Sequence, residues 1–279
     1  MTGFVIALLV LAALAALYLW LVFPGRVSQQ ARQAFARRAY AHRGYYDNEN
    51  GIPENSLPAF ERAMQNGYGC ELDVQFTKDK QLIVFHDNDF KRSSGLDTPV
   101  WELTYDEILS LPLFGTRERV PLFSEVLACV AGRGPLIVEI KAEGIGCQWY
   151  YEVCAATLAL LRDYQGAYCV ESFHPMAVRW FRKNAPDVVR GQLVNGVKSS
   201  PDFPAVVSWS AAQLLTSFLT RPQFIAYKEQ DRNGALRLAQ KLGALTVMWT
   251  VRTQERYDAL AAVEDAIIFE RFAPVPKYE

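Results

Sequence analysis

The chain has 279 residues, 51% hydrophobic and 21% charged, with a net charge of -1. That length accommodates one large α/β barrel or two small domains, and that composition buries a core, which excludes an intrinsically disordered chain. The near-zero charge excludes a nucleic-acid binder, because such binding depends on many unbalanced Lys and Arg.

Phe4 to Phe23 is an uncharged apolar run. At about 1.5 Å per residue it spans roughly 30 Å, one hydrocarbon core. Tyr18 and Trp20 sit near one end, where interfacial aromatics are expected. The alternative, a cleaved signal peptide, fits poorly: no basic residue precedes the run, and the run is too long. Residues 1–25 are therefore read as a single transmembrane anchor. Arg26, Arg32, Arg37 and Arg38 follow it, which by the positive-inside rule places the rest of the chain in the cytoplasm. The five scattered cysteines (Cys70, Cys129, Cys147, Cys154, Cys169) contain no CxxC pair and read as free thiols, in keeping with a reducing compartment. Residues 26–37 read as a basic linker helix with Val27, Ala31, Ala34 and Phe35 on one side. It either lies on anionic headgroups or is simply solvated.

From residue 38 to 279, β-rich runs alternate with helical patterns. Candidate strands are 39–43, 69–76, 82–86, 135–141, 167–172, 188–194, 223–228, 245–250 and 265–269. Asn55 or Ser56 caps a helix ended by Gly67, Thr104 and Glu107 form a capping-box pattern, and Trp149, Val153, Thr157 and Leu160 recur at helical spacing. Pro175 opens a further helix. Strand–helix alternation predicts parallel strands joined by crossovers, and eight such units make a TIM (β/α)8-type barrel of this length. Nine candidates leave one strand over. An open doubly wound sheet is the alternative, but no GxGxxG follows the first strand.

One connection is too short for a crossover. Residues 77–81 alone separate the second and third candidates, which predicts an antiparallel hairpin. With Asp79-Lys80 as the turn, Lys78 faces Gln81 and His86 faces Asp73. Glu71 shares that face by the period of two. Glu71, Asp73 and His86 are then expected to converge.

Two ionised carboxylates on one face of a buried strand repel unless a cation lies between them, and a hard divalent ion suits them. Glu139 is a third carboxylate ending a buried strand, with Lys141 two residues on; alone, these two read as an internal ion pair. His42 and His86 end strands and can serve as general acid and base toward a phosphodiester. Arg43 can bind phosphate oxygens bidentately and Lys141 as a point charge. The third histidine, His174, precedes Pro175 and reads as a cap or surface residue.

The motifs HRG, PENS, ELD, TKD, VFHD and VEIK together resemble the glycerophosphodiester phosphodiesterase family over the chain from Tyr40 onward. The resemblance implies His42 and His86 as the acid/base pair, and Glu71, Asp73 and Glu139 as ligands of Ca²⁺ or Mg²⁺. It implies Arg43 and Lys141 on the phosphate, and Phe173 and Trp249 as substrate-lining aromatics. Glu54 falls at the site edge, as a supporting group or a further ligand, or else marks only the turn before the helix. Asn55 and Asp87 are further supporting candidates. The chain departs from the family pattern at Ser56 (Thr), Glu171 (a small residue), Arg252 (Asn of WTVN) and Phe269-Glu270 (Thr-Asp).

The implied reaction is metal-dependent hydrolysis of a glycerophosphodiester to an alcohol and glycerol 3-phosphate at the membrane surface. Leu111, Leu113 and Phe114 are offered as lipid-touching side chains. The alternatives are lysophospholipase D-like action on lysophospholipids, attack by a substrate hydroxyl to give a cyclic phosphate, and a non-catalytic barrel that binds lipid headgroups.

Overall fold

Eight parallel strands close into a barrel in the computed structural model, which describes residues 2–141, 146–196 and 205–275. Two helices, α1 (Thr2–Val22) and α2 (Gln29–Phe35), precede β1 (Arg38–Ala41). Then come α3 (Leu57–Gln65), β2 (Gly69–Phe76), β3 (Leu82–Val84), β4 (Asp89–Phe90), α4 (Lys91–Ser94), β5 (Leu96–Pro99), α5 (Tyr105–Leu109) and α6 (Phe123–Val130). The remaining strands are β6 (Leu136–Ile140), β7 (Tyr168–Ser172), β8 (Arg190–Val194), β9 (Phe224–Lys228), β10 (Leu245–Val251) and β11 (Ala266–Phe269). They alternate with α7 (Cys147–Asp163), α8 (Pro175–Asn184), α9 (Ala205–Ala212), α10 (Ser217–Thr220), α11 (Gly234–Lys241) and α12 (Gln254–Ala261).

All nine candidate strands form. The pairing of Tyr40 with Gly69 and of Ala41 with Cys70 closes β1 on β2, which rules out the open sheet. The surplus strand is β3, antiparallel to the last three residues of β2. The hairpin register differs from expectation by one residue. Phe76 pairs with Leu82, and the Thr77 N–H donates to the Gln81 carbonyl, so the loop is Lys78-Asp79-Lys80 with Lys80 at φ 59°. This is the three-residue hairpin loop whose last member is left-handed, not a two-residue turn.

Side chains sort by the period of two. On β2, Cys70, Leu72, Val74 and Phe76 join the core between barrel and helices, which leaves Glu71, Asp73 and Gln75 to the opposite face, inside the barrel. The barrel interior is layered. Its lower part is apolar, with Tyr40, Ile137, Cys169, Phe224, Val247 and Ile268. Ala31 and Phe35 of α2 belong to the same cluster, so α2 plugs the N-terminal end of the barrel. Its apolar side is thus committed to the barrel, not to headgroups or solvent. Arg32 ties α2 down by donating to the Gly243 carbonyl at 2.9 Å.

Most of α1 is exposed, and only its last turns dock. Trp20 packs on Phe218 with ring centroids 5.1 Å apart, and Arg221 donates to the carbonyls of Trp20 and Phe23. The Gly25 N–H meets the Pro222 carbonyl, and a Cβ at Gly25 would stand 2.4 Å from the Arg221 oxygen. These contacts lie at the N-terminal end of β9.

After β3 the chain builds a small annex, with its own core of Ile83, Phe85, Phe90, Val100, Ile108, Leu113 and Val120. Leu113 is buried there, and Leu111 and Phe114 pack against it. The three side chains offered to lipid therefore form an internal cluster. Cys70, Cys129, Cys154 and Cys169 are free thiols; the Cys147 side chain lies outside the described residues.

Candidate active site

The upper part of the barrel interior is acidic. Asp73 on β2 pairs in register with Glu139 on β6, and Glu139 with Glu171 on β7, so three neighbouring strands bring carboxyls to one level. Glu71, Asp73 and Glu139 are buried, and each offers an oxygen within 4.8 Å of the others. Glu139 and Lys141 do pair, at 2.8 Å, but not in isolation: Lys141 Nζ is also 3.0 Å from Asp73 Oδ1.

Burial, and then the charges of Asp73 and Glu139, push the Glu71 carboxyl well above the usual range. Burial raises Glu139 and, with Glu139 and Asp73 nearby, raises Glu171 strongly. Asp73 goes the other way. Burial opposes its ionisation, but Lys141, His86 and Arg43 overcome that and hold it far below the usual range. Four buried carboxyls face only Lys141 and Arg43, so ionising all of them would leave negative charge uncompensated, and three of the four are accordingly pushed toward the protonated form. An all-oxygen donor set with surplus negative charge fits a hard divalent cation such as Ca²⁺ or Mg²⁺.

His42 follows β1, and its N–H is held by the Phe269 carbonyl. Nε2 lies 4.0 Å from Glu71 Oε2, and Nδ1 lies 2.7 Å from Glu270 Oε2. Burial lowers the His42 pKa below its ordinary value. His86 does not face Asp73 across the ladder, because β3 ends at Val84 and the Phe85 N–H donates to the Asp73 carbonyl. It arrives instead on a loop pinned by Gln75 Nε2, which donates to the carbonyls of Phe85 and Asp87. From there its charge reaches both Asp73 and Glu139. His86 Nδ1 is 2.6 Å from Asp87 Oδ1.

The β1–α3 loop supplies the basic groups. Gly44 has φ 78°, and a Cβ there would meet the Ala59 backbone at 2.9 Å, so HRG turns against α3 only with glycine. The turn points the Arg43 N–H at Glu71 Oε2, 3.0 Å away, and the guanidinium at Glu54 Oε1, 2.6 Å away. Asn55, left-handed at φ 55°, donates its amide to Asp73 Oδ2 at 2.9 Å, and Ser56 is the residue that caps α3. Glu54 is buried and also accepts from both Nη atoms of Arg92, and Arg92 Nε donates to Asp87 Oδ2 at 2.7 Å. An ionic chain thus runs from His86 through Asp87, Arg92, Glu54 and Arg43 to Asp73 and Lys141. Glu54 stands in it as an anchor for two arginines.

Phe173 and Trp249 meet edge to face, with centroids 5.9 Å apart, at the C-terminal ends of β7 and β10. Both are partly exposed, and Lys228 Nζ lies 4.7 Å over the Trp249 ring. His174 caps α8 and packs on Tyr150. Sequence reasoning missed Arg92, Tyr46 and the role of Glu270. For Glu270 the signal was present: it is a carboxylate just beyond a buried strand, the criterion that singled out Glu139.

Residues 42–272 match the Glycerophosphoryl diester phosphodiesterase family. A glycerophosphodiester phosphodiesterase of Caldanaerobacter subterraneus subsp. tengcongensis is 30% identical over 233 residues, 80% of this chain and 90% of that protein. Lysophospholipase D GDPD1 of Rattus norvegicus is 35% identical over 138 residues, 44% of this chain and 42% of that one. Among solved structures, a putative glycerophosphoryl diester phosphodiesterase from Silicibacter pomeroyi superposes with a TM-score of 0.70 at 24% identity, covering 88% of this chain and 91% of that one. An Oleispira antarctica phosphodiesterase in complex with the product sn-glycerol-3-phosphate gives 0.69 at 19% identity, covering 85% and 94%.

Proposed function

The chain belongs to the glycerophosphoryl diester phosphodiesterase family and is a phosphoric diester hydrolase acting on glycerophosphodiesters, and from that premise we propose which residues do the work. Glu71, Asp73 and Glu139 hold a divalent cation, Ca²⁺ or Mg²⁺. Such an ion, when bound, supplies Lewis-acid polarisation of the phosphoryl group. Arg43 and Lys141 attract the phosphate oxygens, and the ionic chain through Glu54 keeps Arg43 turned inward. His42 and His86 move the protons. One takes a proton from the attacking water as its oxygen bonds to phosphorus, and the other gives a proton to the alcohol oxygen as its bond to phosphorus breaks. The products are the free alcohol and glycerol 3-phosphate. Phe173 and Trp249 wall the mouth and contact the substrate.

The observation that carries this reading is the His42 imidazole, with one nitrogen on a carboxylate and the other directed at the buried acidic cluster. Hydrolysis of a glycerophosphodiester panel, with and without chelator, tests it. Absence of chelator-sensitive turnover on every diester would overturn it.

We further propose that residues 1–25 anchor the chain in a membrane, that 26–37 join the anchor to the barrel of 38–279, and that Arg26, Arg32, Arg37 and Arg38 keep the barrel on the cytoplasmic side. Lysophospholipids are the second substrate class, favoured by the similarity to lysophospholipase D GDPD1. Full-length protein in lysolipid-containing vesicles, compared with the same protein on soluble diesters, separates the two classes. Phosphorus NMR of the products separates attack by water from attack by a substrate hydroxyl, which would leave a cyclic phosphate.

A further inference from the structure

The segment between the apolar helix and the first strand is fastened to the barrel along its length. Arg221 Nη1 donates to the carbonyls of Trp20 and Phe23 at 2.8 and 2.7 Å, and its guanidinium lies 5.5 Å over the Trp20 ring. The Gly25 N–H meets the Pro222 carbonyl, just before β9, and Gln223 donates to the Arg26 carbonyl. Arg32 reaches the Gly243 carbonyl, just before β10, and the Arg37 N–H meets the Asp265 carbonyl, just before β11. Residues 25–38 therefore track the N-terminal ends of β9, β10, β11 and β1 in turn, across the floor of the barrel. Val22 is buried in the core between barrel and helices, so α1 joins this floor without a flexible hinge.

The apolar helix sets a membrane plane against that floor. Gly3–Val22 is 20 residues, about 30 Å of helix, the thickness of one hydrocarbon core. The apolar run ends at Phe23, so lipid headgroups lie at the level of Trp20 to Arg26, which is also the level of the N-terminal strand ends. The mouth is at the other end. The five residues of β9 rise about 3.3 Å each, and with barrel tilt they lift the mouth roughly 13 Å or more above the floor. Arg26, Arg32, Arg37 and Arg38 are exposed along the floor, with Asp265 as the carboxylate facing Arg32 at 3.4 Å. The apolar side of α2 is buried in the barrel, so its polar side is the one left to face lipid. A row of arginines at headgroup depth attracts an anionic leaflet.

We propose that the N-terminal face of the barrel seats on the anionic headgroups of the membrane that α1 crosses, with the mouth turned to the aqueous phase, and that the substrates are therefore water-soluble, deacylated glycerophosphodiesters. The proposal rests on the reading of residues 1–25 as a membrane anchor. A lysolipid of the same leaflet keeps its phosphodiester at headgroup depth, beneath the floor, while the carboxyl cluster and His42 lie toward the far ends of the strands. It reaches them only by leaving the bilayer with its acyl chain, which the hydrophobic effect opposes. A deacylated diester has no chain to extract and diffuses in from water.

The test uses the full chain in vesicles of phosphatidylcholine and phosphatidylglycerol, and again in detergent. Dyes on Gln33→Cys, at an exposed position of α2, and on Glu49→Cys, in the loop after β1, report the distance to lipids carrying an acceptor on their tails, with labelled wild type as background. The Gln33 dye should lie closer to lipid than the Glu49 dye by about 13 Å or more. Acceptor-bearing phosphatidylglycerol should quench the Gln33 dye more than acceptor-bearing phosphatidylcholine, and Arg26→Gln/Arg37→Gln should shrink that preference. For the substrate class, soluble glycerophosphocholine is compared with stearoyl-lysophosphatidylcholine held in the same vesicles, with added Ca²⁺ or Mg²⁺. The kcat/KM ratio of soluble diester to lysolipid should rise about tenfold or more between detergent, which presents lysolipid from every side, and vesicles. A Glu49 dye as near to lipid as the Gln33 dye would overturn the proposal, as would an unchanged substrate ratio. Equal quenching by the two lipids would overturn the seating on anionic headgroups. A chain that does not float with vesicles would instead overturn the anchor reading, and the proposal with it.

Discussion

Removing Glu54 should weaken the folded protein far more than removing Arg92, its water-exposed partner. In Glu54→Ala, Arg43 loses a 2.6 Å partner and Arg92 loses contacts of 2.8 and 2.6 Å. The two arginines do not suffer equally. The Arg92 side chain is 45% exposed and recovers water, so its share is discounted heavily. The Arg43 side chain is 14% exposed and stays charged, with Asp73 at 3.7 Å and Glu71 close by as its remaining acidic neighbours. Breaking a buried pair by deleting one member costs about 3–5 kcal/mol, and a charge-assisted hydrogen bond about 1.5–3. With Asp73 offsetting part of the loss, about 3 kcal/mol is expected for Glu54→Ala and about 1 kcal/mol or less for Arg92→Ala. For a domain of this size that is a fall in Tm of roughly 6–12 °C against roughly 4 °C or less, read by tryptophan fluorescence on the full chain in detergent. A Glu54→Ala Tm within about 2 °C of wild type would refute the claim that this carboxylate holds the arginines in place.

Phe35→Ala should cost about 3–5 kcal/mol, because Phe35 is part of the barrel floor; an unchanged Tm would mean that α2 is only a tether. Gly44→Ala should lower kcat/KM about 10²-fold or more, by displacing the Arg43 amide and guanidinium, and steady-state kinetics would show it. Chelated protein should lose stability as pH rises. Glu71 is pushed up by burial, so its contribution is complete below the ordinary carboxylate range and disappears as pH climbs through its raised value. Added Ca²⁺ or Mg²⁺ should accordingly raise Tm more at about pH 8 than at about pH 6, and calorimetry with and without chelator reads the difference.

The strands were legible because buried parallel strands carry continuous apolar runs, and the carboxylates stand out against them. Glu71 and Asp73 could be set on one face from strand periodicity alone; Glu139 stood out as a carboxylate ending a buried strand, and only the family resemblance joined it to them as a ligand. The hairpin turn was harder. Lys80 occupies a left-handed position that no sequence signal marks, and one extra loop residue shifts the ladder by one. His86 still reaches the cluster, but by way of Gln75 and a loop, which pairing rules do not describe. The plug formed by α2 was hidden because Ala31 and Phe35 on a short basic helix fit a barrel floor as well as a membrane surface. Arg92 and Tyr46 join the site through loop geometry between distant segments, and neither sits at a strand end or in a motif.

The most direct measurement is hydrolysis of a glycerophosphodiester by the full-length chain and by His42→Ala, each with added Ca²⁺ or Mg²⁺ and again with chelator. The account predicts metal-supported turnover to the alcohol and glycerol 3-phosphate by wild type, abolished by chelator and reduced by about 10²-fold or more in His42→Ala. Turnover by His42→Ala equal to wild type, or turnover indifferent to chelator, would contradict it.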